Sequence, residues 1–305
     1  MIPWSVQVEL TEGCNRKCSW CSVPTTTQGF KFMTVGLAKI LAVTLHRWIP
    51  QGRRIEFALA GEPLVNPNHL TIISIFRAFY PKCQLLLTTN GLLLLKDFSF
   101  KVQQLFDAGL NILLFSMYEP EAAKLRECIT EFKAVSNGVE IIDFATSKEA
   151  PWRFYNNAVK KLFMLRDIPL PEGRNKVTKV LNNHAGSVKN EALNIFPLAI
   201  PLQKKCTRVF RELDIGHDGT VLLCCVDLAK RFVFKNALNY PLPSIWNSTE
   251  FNIVRTLLYR KSRDLLTPCK FCNYAGGFRQ GIGLYDIFPN KSNESLMEDL
   301  LCYRR

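Results

Sequence analysis

The sequence predicts an α/β chain: a barrel-like parallel sheet of β/α units, then a small α+β unit made of a β-hairpin and a helix. Three observations carry this expectation. Through the first 120 residues strand-like and helix-like patterns alternate, which argues for parallel βα units. The strand-like segments run into conspicuous polar or glycine-bearing loops: EGCNRKC, AGEP, TTNG and SMYEP. From about residue 196 the pattern gives way to a hairpin and an amphipathic helix, which places a domain boundary near residue 195.

Taken in order, SVQVEL alternates as a short strand leading into the first cysteine loop. Residues 34–48 carry apolar side chains at helical spacing. RIEFALA reads as a buried strand ending at GEPL, HLTIISIFRAFY as a helix, and CQLLLTTNG as a strand closed by a turn. SFKVQQLFDAGL is a helix terminated by Gly109, and NILLFSM is the fourth strand. EPEAAKLRECITEFKAV is a helix with Pro120 in its first turn, and VEIIDFA is the fifth strand. Beyond the boundary, FRELDIGHDGTVLLCC reads as a strand, an HDG turn and a second strand. The helix after PSIWN is capped at Ser248 or Thr249. Since βα loops converge at the carboxyl ends of barrel strands, the four loops named above fall on one rim, the expected active site.

Composition bounds the chemistry. At 305 residues, 48% hydrophobic and 21% charged, the chain buries a large core and is not disordered. The longest apolar run, GLNILLFSM, is too short to cross a bilayer. MIPWSVQVEL lacks a basic n-region and carries Glu9, so no secretory signal is expected and the cytoplasm is the default location. Eleven cysteines, odd in number and clumped, argue for metal binding over disulfides in such a chain. The net charge of +13 is concentrated in residues 151–190 and around Cys206, beside Lys204, Lys205, Arg208 and Arg211. That excess reads either as a solvated basic face or as a groove for an acidic or phosphorylated substrate. No nucleic-acid-binding motif accompanies it, so nucleic acid is not an expected partner.

In EGCNRKCSWC, Cys14, Cys18 and Cys21 are separated by three and by two residues. Thiolates select zinc and iron–sulfur clusters. Three of them on a short loop hold three irons of a cubane and leave the fourth open, as a catalytic centre needs. The alternative is a zinc site completed by a distant Cys or His. VELTEGCNRKCSWC resembles the cluster loop of the radical S-adenosylmethionine enzymes, with Trp20 at its aromatic position. The resemblance implies a 4Fe-4S cluster whose open iron is chelated by S-adenosylmethionine. It also implies reductive cleavage of that cofactor to a 5′-deoxyadenosyl radical and abstraction of a substrate hydrogen. Trp20 would pack near the adenine. AGEP, with Gly61, Glu62 and Pro63 and with Ala60 in place of the family's first glycine, would receive the methionine amino group. Asn90 in TTNG and Ser116 would stand where ribose and carboxylate contacts lie.

A second set, Cys206, Cys224, Cys225, Cys269 and Cys272, offers enough thiols for a closed site of zinc or iron–sulfur type. It is similar to the C-terminal extensions of the same enzymes called SPASM and twitch domains. Cys206, twelve residues, Gly219, four residues and Cys224 fit their opening and favour Cys224 over Cys225 as ligand. Phe278 stands where a SPASM domain would continue with cysteine, leaving the shorter twitch version and one auxiliary 4Fe-4S cluster on Cys206, Cys224, Cys269 and Cys272. The order and spacing are similar to those of radical dehydrogenases that oxidise amino-cyclitol alcohols. The implied architecture is a partial (β/α)6 barrel over 1–195, a twitch-type domain over 196–290 and a C-terminal tail over 291–305. Cys83 and Cys128 read as buried structural thiols, and Cys302 is left without a role.

The expected function is a radical S-adenosylmethionine enzyme that abstracts hydrogen and then oxidises the substrate by one electron through the auxiliary cluster. A peptide-modifying maturase or epimerase is the alternative, disfavoured because the barrel begins at residue 4 with no leader-binding domain ahead of it. A non-catalytic metal-binding scaffold for RNA is the remote one, against which AGEP and the strand-end loops count. The substrate is a small molecule or a peptide, and an external flavodoxin- or ferredoxin-like donor supplies electrons. Tyr118, Glu119, Arg153 and His184 are the candidate catalytic side chains; His184 is a candidate base, although its context favours a satisfied structural histidine.

Overall fold

The computed structural model describes residues 1–23, 28–144, 146–147, 149, 155, 158–165, 181–274 and 285–304. Six parallel strands make the barrel wall: β1 (Ser5–Val8), β4 (Arg54–Phe57), β5 (Gln84–Thr89), β6 (Ile112–Phe115), β7 (Val139–Asp143) and β8 (Lys160–Met164). A short ribbon, β2 (Thr11–Glu12) with β3 (Lys31–Phe32), stands apart from them. Three more strands follow, β9 (Glu212–Ile215), β10 (Thr220–Leu222) and β11 (Val233–Asn236). The spatial order is β11-β10-β9-β1-β4-β5-β6-β8-β7. β9 lies parallel to β1, while β10 and β11 run antiparallel.

Alternation along each strand sets two faces. Val6, Val8, Ile55, Phe57, Leu85, Leu87, Leu113 and Phe115 enter the main core beneath the helices. On the other face Leu86, Ile112, Leu114, Ile142 and Phe163 form a second apolar cluster. The register continues that face from Leu86 to Glu56, Gln7 and Asp214, so its far half is polar.

The helices follow from their stripes and caps. Thr34 caps Val35–Trp48 by accepting from the Leu37 N–H at 3.1 Å. That helix buries Leu37, Ala38, Leu41, Ala42 and Leu45, a three–four spacing in which each leucine contributes roughly 2 kcal/mol. His69–Phe79 buries Ile72, Ile73 and Phe76 in the same manner. Phe98–Asp107 ends at Gly109, whose positive φ of 107° lets the Leu110 N–H close on the Leu105 carbonyl. Ser248 caps Thr249–Tyr259 through the Phe251 N–H.

Several expectations change. The strand β8 was absent from the sequence reading, and it inserts between β6 and β7, so the fifth expected strand is the edge. Burial explains the order: the centre of β8 is sealed, whereas β7 alternates between buried and open positions. Lys161 made β8 hard to see; it is 6% exposed, with Nζ 2.6 Å from Glu140 and 2.8 Å from Glu149. Pro120 precedes the helix Ala122–Val135 and is not in its first turn. The hairpin expected in a separate domain extends the barrel sheet through β9. The expected tail is a helix, Asn293–Tyr303, capped by Ser292 and packed through Leu296 and Leu300 into the main core. Among the described residues no helix is long and apolar enough to cross a membrane.

Candidate functional site

The ribbon β2–β3 closes the base of the loop that carries Cys14, Cys18 and Cys21. Gly13 bridges Gly61: the Gly13 N–H donates to the Ala60 carbonyl and the Glu62 N–H to the Gly13 carbonyl, each at 3.0 Å. A Cβ on Gly61 would clash with the carbonyl oxygens of Thr11 and Gly13, so this close approach of two backbones requires glycine. Lys230 fastens the same region to the hairpin, lying 2.7 Å from Glu9 and in contact with Glu12. Although burial opposes it, Lys230 and Lys31 hold the Glu12 carboxyl down at about 2.

Glu62 is sealed inside the rim. Its carboxylate accepts from the Leu64 N–H (3.2 Å), the Thr89 hydroxyl (2.7 Å) and the Asn90 N–H (2.8 Å). Burial nonetheless pushes it up to about 7. Its own N–H and both carboxylate oxygens are thus engaged by protein, so Glu62 braces the ends of β4 and β5. Asn90 reaches the cysteine loop, donating to Asn15 at 2.8 Å and to the Cys14 sulfur at 3.7 Å.

These elements enclose a cavity of about 320 Å³. Cys14, Cys18, Cys21 and Trp20 line it together with Tyr118 and His184, which pack beside the cysteine loop, and Gly61, Glu62, Asn90 and Ser116 complete the wall. Pro63 is buried in the turn Pro63–Val65 and is not on that wall. Glu119 is also off it, offering its carbonyl to Arg16 at 2.9 Å. Arg153 lies outside the described residues. Trp20 packs with Val188 and Ile195, 5.8 Å from the Tyr118 ring. Ser116 caps no helix, since the next one begins at Ala122. The His184 Nδ1 accepts from the Ser22 N–H at 3.3 Å, and burial pushes this histidine down to about 4. It is therefore neutral near pH 7, with its proton on Nε2.

Sequence reading missed Arg16, Thr88, Asn182 and Leu228 on this wall. Arg16 sits between two cysteines and reads there as a loop charge. In the structure it spans to Glu121 at 2.5 Å and lies 5.3 Å over the Tyr118 ring. Thr88 opens TTNG and left no signal beyond its strand; its hydroxyl is buried with no protein partner among the described residues.

A second, smaller cavity of about 30 Å³ is lined by Cys206, Cys224, Cys269 and Cys272, with Arg208, Arg263 and Asp227. Cys225 is not on this wall; its sulfur faces away and accepts from Arg208 Nη1 at 2.7 Å. Cys83 and Cys128 are buried in the main core, and Cys302 is exposed on the last helix. In the basic cluster around Cys206, Arg208 and Arg211 turn inward on Glu212, while Lys204 is exposed.

Both cavities fit soft-metal chemistry. Backbone N–H groups two residues on point at cysteine sulfurs: Arg16 to Cys14 (3.4 Å), Val226 to Cys224 (3.3 Å) and Tyr274 to Cys272 (3.4 Å). Such donors stabilise thiolates. Burial pushes the Cys21 thiol up to about 11 and those of Cys14, Cys269 and Cys272 upward, so a bound cation must displace their protons. The two cavities also share a wall. His184 lines the first and Ala185 the second; Leu228 lines the first and Asp227 the second.

Residues 8–142 match the family model of the radical SAM superfamily, and residues 206–273 match SPASM, an iron–sulfur cluster-binding domain. No curated protein sequence matches the chain. Among solved structures, the crystal structure of BtrN in complex with AdoMet and 2-DOIA is similar with a TM-score of 0.68 and 21% identity, over 94% of this chain and 98% of that one. Polyhistidine-tagged anSMEcpe with bound AdoMet is similar at 0.51 and 13% identity, over 99% of this chain and 94% of that one. Residues 8–142 are thus a radical SAM domain and residues 206–273 a SPASM-type domain, which imply iron–sulfur clusters and S-adenosylmethionine as cofactors.

Proposed function

We propose that the chain oxidises a small polar substrate by hydrogen-atom abstraction followed by loss of one electron. Cys14, Cys18 and Cys21 would hold a 4Fe-4S cluster with one iron left for S-adenosylmethionine. Cys206, Cys224, Cys269 and Cys272 would hold a second, fully ligated one. When bound, the first assembly supplies hydrogen-atom abstraction and the second a one-electron acceptor. The observation that carries this reading is the shared wall: residues 184–185 and 227–228 each present one side chain to the three-cysteine cavity and its neighbour to the four-cysteine cavity. An acceptor across a wall shared with the reaction chamber suits oxidation of a bound radical.

The chain's own residues shape that chamber. Trp20 and Tyr118 give it an apolar side that excludes water, and Arg16, anchored on Glu121, closes it near the cysteines. Neutral His184, held through Nδ1 by the Ser22 N–H, keeps its proton on Nε2 and can donate it in a hydrogen bond to a substrate oxygen. The similarity to BtrN, whose crystal structure is of a complex with AdoMet and 2-DOIA, supports a small ligand. An external flavodoxin- or ferredoxin-like protein in the cytoplasm would donate the electrons.

The test is anaerobic reconstitution. About eight irons and S-adenosylmethionine cleavage to 5′-deoxyadenosine are expected, with cleavage abolished by Cys14→Ala. Cys269→Ala should retain cleavage yet lose net oxidation. A colourless protein holding two zinc ions would overturn the reading.

A further inference from the structure

Two arginines line the four-cysteine cavity, and they are used differently. Arg263, 1% exposed, is consumed by backbone carbonyls: Nε donates to Lys204 at 2.9 Å, Nη1 to Tyr274 at 2.8 Å and Nη2 to Lys205 at 3.5 Å. It ties the walls together. Arg208 is fixed from one end only. Its Nη1 donates to Glu212 and to the Cys225 sulfur, and its guanidinium lies 4.4 Å from the Tyr274 ring centre. Its Nε is buried and has no acceptor among the described residues.

A buried N–H without an acceptor costs about 1–3 kcal/mol, and this one belongs to a side chain on the cavity wall, where an occupant of the cavity can supply the acceptor. We propose that Arg208 is a positioning residue that sets the reduction potential of the second cluster, its Nε–H donating to a cluster or cysteinyl sulfur. This rests on the reading that the cavity holds an iron–sulfur cluster. Adding one electron to that cluster makes it more negative. A fixed cation and a hydrogen bond to sulfur favour that state, and both raise the potential. Cys225 then has a role beside the ligands: with Glu212 it holds the guanidinium's far end, fixing where Nε points. Glu212 also lies 3.8 Å from Arg211 and 4.0 Å from Arg54, so replacing Arg208 does not strand it as an isolated buried charge.

The experiment is an EPR-monitored redox titration of the anaerobic holoenzyme, in which the first cluster serves as internal reference. Arg208→Gln should move the second cluster's midpoint to more negative potential with the first unchanged, and Arg208→Lys, which keeps the charge without the Nε–H, should fall between. Full iron content with an unmoved second midpoint in Arg208→Gln would overturn the proposal. Should that variant lose its second cluster, wild-type protein labelled with ¹⁵N-arginine decides the matter: the reduced second cluster should show a strong guanidinium nitrogen coupling, and its absence overturns the assignment. Wild-type protein with only about four irons refutes the second cluster itself, and with it both readings.

Discussion

Asn183 and Asn273 clasp each other: the Asn183 N–H donates to the Asn273 side-chain carbonyl at 3.0 Å, and the Asn273 N–H donates to that of Asn183 at 3.2 Å. One residue belongs to LNNHAG, the other follows the CKFC knuckle. The pair therefore ties the wall bearing His184 and Ala185 to two cysteines of the second cavity. Asn183 completes the clasp by donating its amide to the carbonyls of Phe196 (2.8 Å) and Phe271 (2.7 Å).

Asn183→Ala removes an acceptor and two donors at a site with no solvent exposure. Each buried polar group left unmatched costs about 1–3 kcal/mol, so a loss of roughly 3 kcal/mol is expected. The knuckle should loosen first. Iron assays should fall by about half, with the first cluster retained and the second depleted. Unchanged iron and an unchanged melting temperature would show that the clasp holds nothing.

Gly61→Ala should act on the other cluster. A methyl group there meets two carbonyl oxygens of the strand that leads into the cysteine loop. Backbone cannot yield as a flexible side chain would, so the loop must move away from β4. The expected outcome is loss of the first cluster and of S-adenosylmethionine binding while the second cluster stays loaded. A variant that binds the cofactor as tightly as the parent would contradict the tight packing of Gly13 on Gly61.

Glu62 predicts a pH dependence. Burial raises its carboxyl from 4.5 to about 7, so between these values the folded protein binds more protons than the unfolded chain. Stability should therefore fall as pH rises through that window and level off above about 7, by roughly 3 kcal/mol from this group. Glu62→Gln cannot ionise and should flatten the slope, whatever its effect on the absolute melting temperature. Anaerobic thermal melts across the window compare the two slopes. Parallel slopes for parent and variant would remove Glu62 as the source.

The rim was legible because cysteine spacing, AGEP and TTNG are short and local, and strand alternation places each at a strand's end. What sequence hid was set by tertiary partners. Lys161 masks β8, since a lysine reads as exposed until Glu140 and Glu149 are seen to neutralise it. The last helix looked like a tail because Leu296 and Leu300 are its only fully buried positions. The bracing role of Glu62 was hidden because its hydrogen-bond partners Thr89 and Asn90 lie on another strand's end. Arg208 looked like part of a basic surface because Lys204, Lys205 and Arg211 surround it in sequence, although its partner Glu212 stands only four residues on.

Adjacent cysteines offer the sharpest separation. The Cys224 sulfur lines the second cavity and accepts from the Val226 N–H, whereas the Cys225 sulfur is turned to Arg208 and lies within reach of Glu212 and Asp214. Serine at 225 keeps an acceptor for the arginine, so Cys225→Ser should fold and retain about eight irons. Cys224→Ser should retain about four, with the visible absorbance reduced in proportion, because a cubane missing one thiolate loses iron readily. Iron and sulfide assays on the two variants decide between them. The opposite pattern would exchange the ligand, turn the hairpin end by one residue, and leave Arg208 facing a cluster ligand through Nη1 instead of Nε.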